Sequence, residues 1–400
     1  MLFSATYALG EVPGEIIHYT ISAIRLFLIR LFPDNLLIDL LANGLISGIG
    51  GVLMFLPNIF FLFCGIAILE ESGFFLRSTV LFENFMKWLQ LDARALVPLI
   101  IGLGCNAPAV MASRLIRNRW QRLRVLFLLP FISCSARLPI AVLLIGTFFP
   151  NHPGLWLSGM YACNFLLILA LARLTGLYSQ ETERLPSLGA SDLPPYRIPR
   201  WKQIWQPVRH HCLHFVEKAG TILLIGTALI WLLQTFPRSS FPQFQEAQLF
   251  RNSQERRIDF EESLFISYAG SRNVETSYLG QLGRIIQPLF SPLGFGWRET
   301  VALISGVLAK EGIVSTLSVL YGPSNQAISQ GMRHNGITPL SALSLLIFSM
   351  LYMPCLPTLT LILRESDSTL FTVGMVLFAP TFAYTLAWLI PHALVMAGLA

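Results

Sequence analysis

Charge is scarce in this 400-residue chain: Asp, Glu, Lys and Arg make up 12% of it, against 54% hydrophobic residues. A water-soluble domain carries about 25% charged residues, so the soluble globular class is excluded. No GxxxxGK[ST] run occurs, which removes the usual phosphate-cradling loop and with it a GTP site of that kind. HExxH, GxSxG and zinc-finger spacings are also missing, so the chain does not read as an enzyme and no tightly bound cofactor is expected. The six cysteines, Cys64, Cys105, Cys134, Cys163, Cys212 and Cys355, include no CxxC pair. Most lie in apolar runs, which argues against a disulfide framework. The first residues carry Glu11, Pro13 and Glu15 and lack a basic stretch before an apolar core. A cleavable signal is therefore not read, and insertion is expected through internal spans.

What is present is a series of long apolar runs. About 18 or more apolar residues cross a bilayer as a helix. Candidate runs lie at 36–54, 52–69, 96–112, 125–149, 154–172, 220–236, 300–320, 340–363 and 368–400. The first two merge and the last is long enough to bend. The expectation is an all-α polytopic integral membrane protein with roughly eight to ten membrane segments. The net charge of +6 needs no nucleic acid. Arg114, Arg117, Arg119, Arg122 and Arg124 crowd one loop with no acid, and the loop at 175–218 is also basic. Two spans separate these loops, so both fall on one side, the cytoplasmic one by the positive-inside rule. The charge-balanced loop at 237–297 then falls outside.

Helix breakers interrupt three of the runs. GLGCNAPAVMAS (102–113) sets Cys105 and Asn106 between Gly104 and Pro108, two residues after Gly102. SCSARLP carries Cys134, and YMPCLP carries Cys355 after Pro354. Backbone freed by a break inside a membrane must be buried in protein or line a cavity. Transporters build ion sites from such broken helices near the bilayer midplane. Sulfur and carboxylate ligands can hold a partly dehydrated Fe²⁺, whereas Mg²⁺ and Ca²⁺ prefer oxygen alone. The plainer reading of a buried cysteine is a small hydrophobe. It fits Cys64 and Cys163, which lie in smooth apolar runs.

Ionisable groups inside a span are functional candidates by default. Arg137 lies mid-span and reads as a tie between half-helices or a selectivity charge. Lys310 and Glu311 read as a gate or oxygen ligand with its charge partner, or as an internal pair holding a broken helix; Gly306 precedes them. Glu70 and Glu71 end a span, where they form an acidic mouth or a solvated helix end. The HHCLH run at His210–His214 reads as a polar helix face rather than a metal site.

The chain also reads as two related halves. LIIGLGCNAP and FISCSARLPI in the first correspond to LISGVLAKEG and LYMPCLPTL in the second. Gly102 then matches Gly306, Cys105 and Asn106 match Ala309 and Lys310, and Cys134 matches Cys355. The expected organisation is an N-terminal interfacial helix at 1–35 and a first gate repeat at 36–175. A cytoplasmic Pro-rich linker and interfacial helix at 176–219 lead to a second repeat at 220–400, with a polar insertion at about 236–298.

At these residues the chain resembles the membrane domain of the FeoB ferrous-iron transporter family. The resemblance rests on LEESGFFLR, VPLIIGLGCNAPAVMASR, LLPFISCSARLPI, LPPYRIP, SYLGQLGRIIQPLFSPLGFGWRETVALISGVLAKE, LSVLYG and LSALSLLIFSMLYMPC, in family order. It implies Fe²⁺ uptake across the bacterial inner membrane, with Cys105, Cys134 and Cys355 on the path and Asn106, Glu70, Lys310 and Glu311 in support. It also implies a separate GTP-binding G domain and a small FeoA-type protein as partners, with self-association left open. The family's G domain and helical switch domain have no counterpart here, which fits a split-gene product, a truncation or a relative without GTP control. GCNAPA stands for the usual GCNVPA, Gly312 stands where valine is usual, and Pro357 is added after Cys355. A gate permease for an organic solute such as a nucleoside, and a non-transporting partner of a separate G protein, remain the rival readings.

Overall fold

A computed structural model describes residues 46–177, 201–215, 217, 220–236, 274–322 and 324–396, with scattered positions between 13 and 27. The expected N-terminal interfacial helix is described only at those scattered positions. The Pro-rich linker at 178–200 and most of the polar insertion, 237–273, lie outside the described residues.

Among the described residues every regular element is helical. In chain order these are α1 (Ser47–Glu71), α2 (Phe74–Leu81), α3 (Glu83–Trp88), α4 (Leu96–Gly104), α5 (Asn106–Ala112) and α6 (Arg119–Leu128). Next come α7 (Leu138–Phe148), α8 (Pro153–Leu177), α9 (Trp201–Phe215), α10 (Thr221–Thr235), α11 (Tyr278–Phe290) and α12 (Trp297–Leu308). The last are α13 (Gly312–Tyr321), α14 (Asn325–His334), α15 (Pro339–Leu351), α16 (Leu356–Ser366) and α17 (Thr369–Met396).

Among the described residues four apolar stretches are long enough to cross a membrane. Two are continuous helices: α8, over Pro153–Leu177, and α17, over Thr369–Leu394. The other two, Arg119–Phe148 and Pro339–Ser366, are interrupted near their middles, between α6 and α7 and between α15 and α16. Burial follows the interruption. The interrupted stretches are each 67% buried, whereas α8 and α17 are 17% and 22% buried. Leu155, Phe165 and Leu166 on α8 and Leu370 and Leu377 on α17 are exposed, as suits helices whose partner is lipid. A helix without a break satisfies its own backbone and tolerates hydrocarbon around it, whereas a broken one needs protein donors. Shorter apolar helices lie at Ala93–Gly104, Leu224–Thr235 and Gly312–Tyr321.

The chain divides into two compact units. The first comprises 1–135, 162–228 and 356–375; the second comprises 136–161, 229–355 and 376–400. Both unit boundaries within the broken spans fall at the breaks themselves, so each unit holds α6 or α15 together with the half-helix that follows the other.

In the first unit α16 packs along α5, and α9 packs on α1 through Phe63, Ala67, Ile204 and Val208. Asn118 starts α6 by accepting from the Trp120 and Gln121 amides, an ordinary N-cap. Buried Arg124 donates to the Gln90, Leu89 and Ala172 carbonyls at 2.6, 3.4 and 3.1 Å, fastening the turn after α3 to α8. Arg114 from the basic loop forks onto Glu365 at the end of α16, its Nε lying 2.9 and 3.0 Å from the two carboxylate oxygens. In the second unit α11 and α12 form a helical hairpin, and α14 and α15 pack on α7. Thr338 and Ser341 form a reciprocal cap at the start of α15. Arg333 of α14 donates to the Thr147 carbonyl at the end of α7.

Candidate functional site

Proline contributes to two of the interruptions, the one at Cys105 and the one at Met353–Cys355. A helical amide at position i donates to the carbonyl at i−4, and proline has no amide proton. Pro108 thus leaves the Gly104 carbonyl without its helical donor, Pro354 leaves that of Met350, and Pro357 leaves that of Met353. A buried carbonyl with no donor costs about 1–3 kcal/mol. Each of these has found a replacement. Ser135 Oγ donates to Gly104 at 2.9 Å, Arg137 donates to Met350, and the Lys310 ammonium donates to Met353.

In the first unit, α4 and α5 are separated by a single extended residue, Cys105, at φ −150° and ψ 129°. The facing interruption is the stretch from Ile132 to Ser135, which contains Cys134. Two hydrogen bonds hold these interruptions together: Ser135 to Gly104, and Asn106 Nδ2 to the Ile132 carbonyl at 3.5 Å. Asn106 is 5% exposed, yet its Oδ1 has no hydrogen-bond partner. A buried acceptor left in this state calls for an explanation, an unrecorded ion among them. Gly102 lies beneath this oxygen; a Cβ there would approach Asn106 Oδ1 to 3.4 Å and Ile132 Cδ1 to 3.2 Å. Cys105 and Cys134 are partly exposed and form no disulfide.

The second unit repeats the geometry with different chemistry. Ala309 separates α12 from Lys310 with φ −143° and ψ 134°, close to the Cys105 values. The facing interruption runs from Tyr352 to Cys355. Lys310 is 3% exposed, and its ammonium lies 3.3 Å from the Tyr352 ring centroid as well as on the Met353 carbonyl. Arg137, 1% exposed, donates to Met350 and, at 3.4 Å, to Tyr352. Two cations therefore crown the carbonyl end of α15, where the helix dipole is negative. Gly306 is forced here: a Cβ would lie 2.3 Å from Ile313 Cγ1 and 2.4 Å from Tyr352 Oη. Cys355, partly exposed and in no disulfide, lies in this second break.

Glu311 is partly buried at the start of α13. Glu70 and Glu71 are exposed in the last turn of α1, which holds no basic residue. Acids at a helix C-terminus oppose the dipole, so their placement does not serve that helix. Among the described residues no three His, Cys, Asp or Glu side chains converge as a metal cluster. Any cation held at a break would be bound by thiol, amide and backbone oxygen together.

Several participants were not visible in the sequence. Asn164 on α8 donates to the Phe131 carbonyl at 3.2 Å, at the end of the first half of a broken helix. Tyr352 supplies both the ring under Lys310 and a hydroxyl that donates to Leu303 at 3.3 Å. Asn164 gave no signal, being one polar residue in an apolar run. Tyr352 directly precedes the Met-Pro-Cys turn, and only its neighbours drew attention.

The family model described as "Gate: Nucleoside recognition" matches residues 52–148 and 216–369. The chain is 35% identical to an Fe(2+) transporter FeoB from Campylobacter jejuni, over 98% of this chain and 61% of that protein. It is 32% identical to an Fe(2+) transporter FeoB from Methanocaldococcus jannaschii, over 100% of this chain and 55% of that protein. A Porphyromonas gingivalis protein named as a fusion of Fe(2+) transport protein A and Fe(2+) transporter FeoB is 33% identical, over 98% of this chain and 48% of its own length. The chain thus spans about half the length of the curated relatives it matches. No solved structure matches. With its paired helix breaks, long apolar helices and a model match over most of its length, the chain belongs to the Gate family of membrane proteins and is similar to the membrane portion of FeoB ferrous-iron transporters.

Proposed function

We propose that this chain is a ferrous-iron permease of the bacterial inner membrane. The observation that carries the proposal is the break at Cys105. A thiol and a buried amide oxygen with no donor stand there on adjacent residues, Cys105 and Asn106, on backbone that a membrane tolerates only inside protein. Fe²⁺ is a borderline cation that accepts sulfur and oxygen ligands together. The relatives named as Fe(2+) transporters support the same cargo.

In this reading Fe²⁺ sheds part of its water shell near Glu70 and Glu71. Cys105, Asn106 and Cys134 in one break, and Glu311 and Cys355 in the other, are its path residues. Each site binds weakly enough to release the ion. Gly102, Gly104, Pro108, Gly306 and Pro354 shape the breaks, and Lys310 and Arg137 hold the second one. The broken spans belong to two gate repeats, residues 36–175 and 220–400. The chain carries out transport rather than catalysis. It works with a separate GTP-binding protein and a small FeoA-type protein, the latter supported by the fusion seen in a relative.

Uptake of Fe²⁺ into proteoliposomes under reducing conditions tests the reading, with the intact chain compared against Cys105→Ser and Cys355→Ser. Uptake that falls in both variants supports a thiol-lined path. Undiminished uptake in both returns the cysteines to packing roles, and uptake of a nucleoside instead of Fe²⁺ would overturn the cargo.

A further inference from the structure

The two breaks correspond position by position. Cys105 and Ala309 are the extended residues that follow the first half-helix of each break, with φ and ψ of −150° and 129° against −143° and 134°. α5 begins directly after Cys105, whereas Lys310 and Glu311 form a turn before α13. The next residue is Asn106 in one and Lys310 in the other, and both are buried, 5% and 3% exposed. Each donates to the carbonyl two residues before the facing cysteine: Asn106 to Ile132, ahead of Cys134, and Lys310 to Met353, ahead of Cys355. Gly102 and Gly306, each three residues before the extended residue, lie under these interactions.

We propose that the Lys310 ammonium is a tethered cation occupying, in the second break, the position that a free metal ion takes in the first. This deepens the iron-permease reading and rests on it. Three features favour it. The ammonium lies where oxygen and ring electrons converge, on the Met353 carbonyl and 3.3 Å from the Tyr352 centroid, an environment built for positive charge. Pro357 removes the competing amide, so the Met353 carbonyl is open to a cation. In the first break the equivalent side chain is neutral, and its Oδ1 has no donor. One break is thus filled by the protein and the other is left open. The functional consequence is stoichiometry and selectivity: of the two breaks the first is the retaining locus, and the fixed positive charge at the second weakens the contacts that an incoming Fe²⁺ makes with Glu311 and Cys355 in passing.

The test is anaerobic equilibrium binding of Fe²⁺ to the full chain in detergent, counted as metal per chain. Ala309→Cys combined with Lys310→Asn rebuilds the first break's pair opposite the native Cys355. The expected gain is a single additional Fe²⁺ over the intact chain. Asn106→Lys is the converse; its ammonium reaches the Ile132 carbonyl, and the first ion is expected to be lost while the protein still elutes as a folded species. A purely structural cap at Lys310 predicts a less stable double variant with no added metal, and that result in a folded sample overturns the proposal. So does a folded Asn106→Lys that keeps its ion. If the double variant fails to fold, Asn106→Lys decides alone. An intact chain that binds no Fe²⁺ removes the iron reading. The tethered-cation proposal then survives only if the double variant acquires an ion the intact chain lacks.

Discussion

At Cys105 the chain interrupts a helix with one extended residue and leaves an amide oxygen without a donor. At Ala309 it makes the same interruption and fills it with an ammonium, with a guanidinium beside it. Equal backbone geometry has been given opposite electrostatics. A break inside an apolar environment has to be compensated, and there are two ways to do it. A hydroxyl such as Ser135 can take the freed carbonyl and keep the site neutral, or a cation can take it and make the site positive. In our proposal the first leaves the site open to a mobile cation and the second opposes one.

The largest expected effect comes from removing the cation that holds two carbonyls. Arg137→Met strips the donors from Met350 and Tyr352 and should lower stability by about 3 kcal/mol, from two charge-assisted hydrogen bonds. A thermal melt in detergent reads this directly, and an unchanged midpoint would break the idea that cations hold the second break.

Glycine comes next. Gly306→Ala drives a Cβ into Ile313 and the Tyr352 hydroxyl and should cost about 2 kcal/mol. Gly102→Ala meets its neighbours only at 3.2–3.4 Å and should cost less than about 1 kcal/mol. Equal costs in the same melts would show that the two breaks are packed alike.

The third effect is functional. Cys105→Ser should reduce Fe²⁺ uptake about tenfold, about 1.4 kcal/mol of ion stabilisation, with little change in stability. Cys355→Ser should reduce uptake less, because the second break already holds a cation. An inverted order would move the ion site to the second break.

A modest effect is expected of Ser135→Ala, which takes its donor from the Gly104 carbonyl and should cost about 1 kcal/mol. A loss as large as that of Arg137→Met would remove the distinction between neutral and charged compensation.

Much of this was legible in the sequence. Cys105, Asn106, Cys134 and Cys355 stood out because Gly and Pro beside them cannot continue a helix, and breaks are rare in apolar runs. The correspondence of Asn106 with Lys310 could be read from the aligned halves. Their partners could not. For Lys310 the sequence offered Glu311, its neighbour in the chain; the structure adds the Met353 carbonyl and the Tyr352 ring, more than 40 residues away. Arg137 was recognisable as a tie between half-helices, but not as the donor to Met350 and Tyr352. Ser135 could be read as a polar group beside Cys134, but not as the donor to Gly104; Asn164 could not be picked out, since a single amide in an apolar run announces no partner.

Composition alone determined that the chain is helical and embedded in lipid, because so few charges and so many long apolar runs leave no other solvent for it. Local chemistry marked two of the breaks, at Pro108 and at Pro354 and Pro357, because a missing proline amide acts on a carbonyl four residues away. The break at Ala309 has no proline, and Pro57, Pro288, Pro380 and Pro391 lie inside continuous helices. Tertiary structure alone decided how each break is compensated. The donor that replaces a lost amide arrives from a distant part of the chain, and only packing selects a hydroxyl for one break and an ammonium for the other.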